Sequence, residues 1–256
     1  MTKTQQFREL HVSKEILHIG NVWDLNNALI FEKQGYKAIG TSSFAIAKSL
    51  GYEDGEEMSF EELYKIVKQI ISKVNVPLSV DIEAGYSRDI NKIIENIISL
   101  YDIGVVGINI EDSVVENGIR EIVDKDRFAQ ILKEIVDSLK EKNIDIFINV
   151  RTDNFIMGLE NPLENTLERI KLYEDIGVDG IFVPCIVNIE DIKTITQNIN
   201  LPLNVMTMPD LDSFDVLENA GVKRVSQGPF IYNKLIENFE NKLETITKDN
   251  SFQSLF

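Results

Sequence analysis

The sequence predicts a closed (β/α)8 barrel, and three observations carry that prediction. From residue 16 onward, short apolar runs rich in Val and Ile alternate with amphipathic stretches of helical period, the rhythm of a parallel sheet with helical crossovers. Eight such runs can be counted, and 256 residues matches the length that eight strand–helix units need, about 250. No linker or low-complexity stretch interrupts the rhythm, so residues 1–256 are expected to form one domain, closed rather than open.

The predicted strands are Ile16 to Gly20, Ala38 to Ser42, Leu78 to Glu83, Val105 to Glu111, Ile144 to Arg151, Gly180 to Pro184, Leu203 to Met206 and Arg224 to Gln227. They are short and apolar, as strands buried on both faces are. A helix precedes them, and others fall between. Ser59 with Glu62 three residues on has the form of a capping box. The segments QGYKAIG, DIGVVGI, DIGVDGI and NAGVKRV each close a helix on Gly35, Gly104, Gly177 or Gly221 and launch the next strand. The last helix, Phe230 to Ile246, carries Ile231, Leu235, Ile236, Phe239, Leu243 and Ile246 on one stripe, followed by Phe252, Leu255 and Phe256. That is more apolar surface than an isolated barrel buries, so a homodimer or homotetramer is expected.

The net charge of −16 argues against nucleic acid and anionic membrane surfaces as partners, since both would be repelled. The single Cys185 excludes an internal disulfide framework and points to a reducing compartment. No apolar run approaches the ~20 residues of a membrane span, and MTKTQQFRELHVS has no signal-peptide core. A cytoplasmic protein is expected.

Barrel enzymes build their sites at the C-terminal ends of the strands. Two strands here end in acid: Asp81 and Glu83 alternate onto one face of the third, and Asn109 and Glu111 share a face of the fourth. Three carboxylates that converge repel unless a cation sits among them, and an all-oxygen cluster suits Mg2+ or Mn2+. The plainer alternative is three solvated acids at strand ends. Other strand ends contribute Asn21 and Asp24; Thr41, Ser42 and Ser43; Asp112; Asn149, Arg151 and Asp153; Asn204; and Ser226 and Gln227. Arg151 would either hold a carboxylate or neutralise the acids beside it. Cys185 lacks a His to activate it and is expected to pack, and His11, His18, Trp23 and Phe44 are expected to be structural.

The motifs VDIEAGYS, GINIEDS and INVRTD, with GTSSFAIAKSLGYEDG and NVWDLNNA, resemble the isocitrate lyase and phosphoenolpyruvate mutase superfamily, in its phosphonomutase-like, carboxyvinyl-carboxyphosphonate phosphorylmutase-like branch. The likeness runs from Phe7 to about Arg224. It implies a barrel whose last helix is exchanged with a neighbouring subunit, and Mg2+ held largely through water by Asp81, Glu83 and Glu111. It implies a small carboxylic acid substrate, an α-keto or 2-hydroxy acid, bound at Ser42, Ser43, Phe44, Asp81, Arg151 and Asn204. Arg151 and Asp54, the acid of the GYEDG turn, would act near the reacting atoms.

The departure lies after the fourth strand. Isocitrate and methylisocitrate lyases carry a K-x-C-G-H type motif there and phosphonate-acting members a Lys and an Asn, whereas this loop reads SVVENGIREI, with Glu116, Asn117, Arg120 and Glu121 as its polar residues. Glu116 and Asn117 are the catalytic candidates. Without a thiol to protonate a carbanion, the expectation is a Mg2+-dependent carbon–carbon lyase working through an enolate. A mutase or hydrolase of a carbon–phosphorus bond is the alternative, and a non-catalytic keto-acid binder the second.

Overall fold

The structure, a computed structural model, describes residues 1–256. Eight parallel strands close the barrel: β1 (Leu17–Val22), β2 (Ala38–Thr41), β3 (Leu78–Asp81), β4 (Gly107–Glu111), β7 (Phe147–Arg151), β8 (Gly180–Val183), β9 (Leu203–Met206) and β10 (Arg224–Ser226), with β10 pairing back onto β1. The missing numbers are a hairpin after β4, β5 (Ser113–Glu116) and β6 (Ile119–Ile122), which lies outside the barrel. Each predicted apolar run thus yields one barrel strand. The third is shorter than predicted because the chain leaves the sheet in a left-handed turn, with φ 49° at Glu83, 104° at Gly85 and 57° at Tyr86. Glu83 therefore does not share a strand face with Asp81.

The helices are α1 (Lys3–Val12), α2 (Leu25–Lys33), α3 (Ser43–Leu50), α4 (Phe60–Ile71), α5 (Ile90–Asp102), α6 (Lys125–Glu141), α7 (Pro162–Ile176), α8 (Ile189–Asn198), α9 (Phe214–Asn219) and α10 (Phe230–Asp249). The predicted capping box starts α4: Glu62 N–H donates to Ser59 Oγ, and Ser59 N–H to Glu62 Oε2 at 2.9 Å. Leu63, Val67 and Ile70 then face the core every three or four residues. Gly35 and Gly221 reverse the chain at φ 85° and 90°, values that a side chain would disfavour.

The N-terminal end of the barrel is plugged by α1. Its Phe7 meets Phe147 edge-on at 5.3 Å and its His11 stacks on the same ring at 4.2 Å. Above this plug the interior is polar. Asn149 donates to Asn109 Oδ1 at 2.9 Å and to Asn204 Oδ1 at 3.2 Å, and the buried Arg224 reaches Asn109 Oδ1 at 3.3 Å. On their strands Asn109 and Asn149 come two residues before Glu111 and Arg151, so this layer supports the mouth from below.

The two ends of the chain behave differently. Helix α10 carries no buried residue, and Ile231, Leu235, Ile236, Phe239 and Leu243 are all exposed along it. No helix is long and apolar enough to cross a membrane.

Candidate active site

The predicted acids do gather at the mouth, by three different local devices. Asp81 ends β3, where its N–H donates to Thr41 Oγ1 and its carboxylate accepts from Ser43 Oγ, both at 2.8 Å. Glu83 is buried by the left-handed turn and held by two donors at 2.8 Å, Tyr86 OH and the N–H of Glu56. Glu111 ends β4 and is also buried. Burial, then the carboxylates of Asp54, Glu111 and Asp81, push the Glu83 carboxyl up to about 8. Glu111 is pushed up to about 8 by burial, against the pull of Arg151.

Arg151 ends β7 and reaches Asp153, with Nε at 2.5 Å from Oδ1 and Nη2 at 3.1 Å from Oδ2. Its Nη1 lies 2.8 Å from Glu111 Oε2 but off the N–H axis, so that buried oxygen keeps no aligned hydrogen bond. This bidentate grip holds Asp153 below the usual carboxylate range despite its burial, while burial raises Glu111. Asp153 is itself aimed from behind: its N–H donates to Asp112 Oδ1 at 2.9 Å, and Asp112 Oδ2 accepts from Arg169 at 3.1 Å and Tyr173 OH at 3.0 Å. Sequence reasoning missed Arg169 and Tyr173, which sit on α7 and look like ordinary helix residues.

The loop after β4 is ordered as the β5–β6 hairpin. Its tip, Asn117-Gly118, has positive φ at both residues, 53° and 77°, the two-residue turn that Asn-Gly favours between short strands. That dipeptide was a legible hairpin signal. Glu116 and Asn117 stand exposed at the tip and make no contact with the acid cluster, so neither predicted catalytic residue is brought to the mouth. The hairpin residue that reaches it is Arg120. It pairs closely with Glu111, and donates to Ser113 Oγ at 2.8 Å, to Asp153 Oδ2 at 3.1 Å and to Asp54 Oδ2 at 3.2 Å. The predicted Asp54 is thus part of the cluster, and burial raises its carboxyl against the pull of Arg120 and Arg151.

Ser42 caps α3, accepting from the N–H of Ala45, so the first N–H groups of that helix, at Ser43 and Phe44, open toward the same end of the barrel as Asp81. Asn204 is deeper. It is buried inside the barrel, engaged with Asn149, the Val205 carbonyl and Ser226. Asp24 caps α2, and Asn21 ties β1 to the loop after β10 through the N–H groups of Gln227 and Gly228. Cys185 is half-buried, with its thiol pushed up by burial, and His11 and His18 pack against rings far from the acids.

The donor set suits a hydrated divalent cation. Five carboxyls, Asp54, Asp81, Glu83, Glu111 and Asp153, face the two guanidinium groups of Arg120 and Arg151, and burial together with their neighbours raises Glu83 and Glu111 well above the usual carboxylate range. Asp54 Oδ1 and Glu111 Oε2 are buried without a hydrogen-bond donor. No three acids stand close enough to grip an ion by direct contact alone, and Mg2+ retains several waters in such sites.

Comparison with known proteins agrees with this geometry. The family profile of phosphoenolpyruvate phosphomutase matches residues 7–247. The chain is 32% identical over 226 residues to the uncharacterized protein Rv1998c of Mycobacterium tuberculosis, covering 88% of this chain and 83% of that one. It is 24% identical over 233 residues to 2-methylisocitrate lyase of Halalkalibacterium halodurans, covering 89% and 74%. A candidate phosphonomutase from Burkholderia cenocepacia J2315 superposes with a TM-score of 0.88 at 31% identity, over 94% of this chain and 99% of that one. A phosphonopyruvate hydrolase, solved with oxalate and Mg2+, shares the fold with a TM-score of 0.86 at 20% identity, over 99% and 90%. A parallel eight-stranded barrel with its acids and arginines at the strand ends, matched over nearly its whole length, belongs to the phosphoenolpyruvate phosphomutase family, whose members include lyases and mutases.

Proposed function

We propose that this chain is a Mg2+-dependent lyase that cleaves a carbon–carbon bond in a small 2-oxo or 2-hydroxy carboxylic acid, by decarboxylation or by a retro-aldol or retro-Claisen route. One observation carries the reading. The mouth holds acids that lack positive charge, and the hairpin brings them a guanidinium rather than a thiol or imidazole. A guanidinium does not give up its proton, so water must protonate what cleavage leaves. Loss of CO2 from a 2-oxo diacid, which leaves a stabilised enolate, is therefore favoured over cleavages, such as that of isocitrate, that release a carboxylate carbanion needing a positioned acid.

Asp81, Glu83 and Glu111 would hold the ion, with Asp54 beside them. Bound there, it would polarise the substrate oxygen on which the charge of an enolate accumulates. The chain's own groups do the rest. The N–H groups at the start of α3 receive the substrate carboxylate, and Ser43 links that helix end to Asp81. Arg151, fixed by Asp153, sets the charge at the back of the site. The hairpin covers the mouth, and the proton that quenches the enolate comes from water, since neither guanidinium releases one.

The test is turnover of oxaloacetate and alkylmalates with and without Mg2+, followed by product detection. Mg2+-dependent pyruvate or a close analogue is expected, and robust glyoxylate release from isocitrate would overturn the reading. A second reading, cleavage or rearrangement of a carbon–phosphorus bond, is supported by the family profile and by the phosphonate-acting structural neighbours. Phosphate release from phosphonopyruvate, or its conversion to phosphoenolpyruvate, would establish it instead.

A further inference from the structure

We propose that Tyr86 is a positioning residue for the candidate metal site: its phenol hydroxyl holds the Glu83 carboxylate in place for the ion, and Glu56 locks Tyr86 from behind. The inference rests on the metal-dependent reading of the site and assigns the side chains that prepare one of its acids.

Glu83 needs such a device because no strand places it. It lies beyond β3 in the left-handed turn, with φ 49°, and Tyr86 repeats that conformation at 57°. Residues other than glycine hold this conformation only where their surroundings over-determine it. Here the surroundings do. The buried Asn96 of α5 donates from Nδ2 to the Gly85 carbonyl at 3.0 Å. Ile93 of the same helix fills the space beside Gly85, where a Cβ would come within 2.8 Å of it. The Tyr86 ring meets Phe60 of α4 with centroids 6.0 Å apart, so the ring is fixed by packing on one side and by the turn on the other.

A second segment of chain closes the device. Glu56, in the turn that also carries Asp54, is itself left-handed at φ 64° and works in two directions. Its N–H donates to Glu83 Oε2 at 2.8 Å, while its carboxylate accepts from the N–H of Tyr86 at 2.6 Å and from Arg88 Nη1 at 2.7 Å. The Tyr86 hydroxyl donates to the other oxygen, Glu83 Oε1, at 2.8 Å. An ionised carboxylate offers about four acceptor positions, so these two donors orient Glu83 and leave about two for the waters of a hydrated ion. The N–H of Glu83 also donates to Asp81 Oδ1 at 3.3 Å, which ties the placement of one acid to that of the next. Groups that hold a metal's ligands in this way typically change metal affinity by about 10- to 100-fold. Of the two donors to Glu83 only the Tyr86 hydroxyl belongs to a side chain, and it can be removed without removing the ring that packs on Phe60.

The test compares the unmutated protein with Tyr86→Phe and Phe60→Leu, by isothermal titration with Mn2+ and by ultraviolet difference absorbance on adding Mg2+. Tyr86→Phe should weaken Mn2+ by roughly 10- to 100-fold with an unchanged circular dichroism spectrum. Phe60→Leu, which loosens the packing of the ring and keeps the hydroxyl, should stay within about threefold of the unmutated protein. A phenol bonded to a carboxylate changes its absorbance when a cation draws on that carboxylate. Mg2+ should therefore give a tyrosine difference band that Tyr86→Phe abolishes, a signal that a merely structural residue would not supply. Mn2+ affinity of Tyr86→Phe within about twofold of the unmutated protein, a band that survives in that variant, or weakening by Phe60→Leu as large as by Tyr86→Phe overturns the proposal and leaves the metal-dependent reading in place. If Tyr86→Phe does not fold, the unmutated protein decides, and the absence of a tyrosine band at saturating Mg2+ overturns the proposal. An unmutated protein that binds neither ion overturns the underlying reading of the site.

Discussion

Binding of Mg2+ or Mn2+ at neutral pH should expel protons from the protein. Glu83 and Glu111 are each pushed up to about 8, the first by burial and then by Asp54, Glu111 and Asp81, the second by burial against the pull of Arg151. One unit below such a value a carboxyl is roughly nine-tenths protonated, and a metal takes only the ionised form. The two acids interact and titrate as a pair, so about one to two protons should leave per ion bound at pH 7. Calorimetric titration in two buffers of different ionisation enthalpy counts them directly, and Glu83→Gln should lower the count by about one. The same two groups fix a sign for stability. A carboxyl raised in the folded state binds more protons there than in the unfolded chain. Metal-free stability therefore carries no penalty from these groups below about pH 4.5 and declines as pH rises through 8. Added Mg2+ should reverse that decline. Identical heats in the two buffers would refute the reasoning, because an ion bound to ordinary solvated acids, already ionised at pH 7, displaces no proton.

Three further outcomes are expected. Arg169→Met should cost about 3–5 kcal/mol by stranding the buried Asp112, a Tm loss of several degrees in thermal denaturation, and a loss below about 1 kcal/mol would show that the pair is not structural. His11, buried against Phe147 and depressed to about 3 by burial and by Arg224, stays neutral in the fold; its contribution to stability is present above about pH 6.5 and is lost as pH falls toward 3. His11→Phe should flatten that acid limb in denaturant titrations between pH 6 and pH 4, and an unchanged slope would exclude it as the cause. The exposed apolar stripe of α10 should be covered by a second copy of the chain, so light scattering at micromolar concentration should give a dimer or tetramer, and a clean monomer would contradict this.

The barrel was legible because its causes are local. Val- and Ile-rich runs, the Ser59–Glu62 box and the glycines that close helices each act within a few residues, and the structure shows a strand or helix end at each of them. That Asp81, Glu111 and Arg151 lie at the mouth was legible for a related reason: a strand end in a barrel points there whatever the rest of the chain does. Glu83 reaches the mouth by a geometry other than the one expected. Strand alternation was invoked for it, but a left-handed turn delivers the side chain, and no period in the sequence announces that turn.

What the sequence by itself determined was the architecture, the end of the barrel at which acids collect and the absence of a thiol from the loop after β4. What only the tertiary structure decided was which side chains meet there. Asp112, Asp153, Arg169 and Tyr173 are joined across 41 to 61 residues of chain. Arg120 reaches Asp54 across 66 residues, because an Asn-Gly turn folds the loop over the mouth with Arg120 on the inner face and Glu116 and Asn117 outside. Partners so far apart leave no periodic trace, since their meeting is enforced by closure of the sheet and by the cost of leaving a buried charge unpaired.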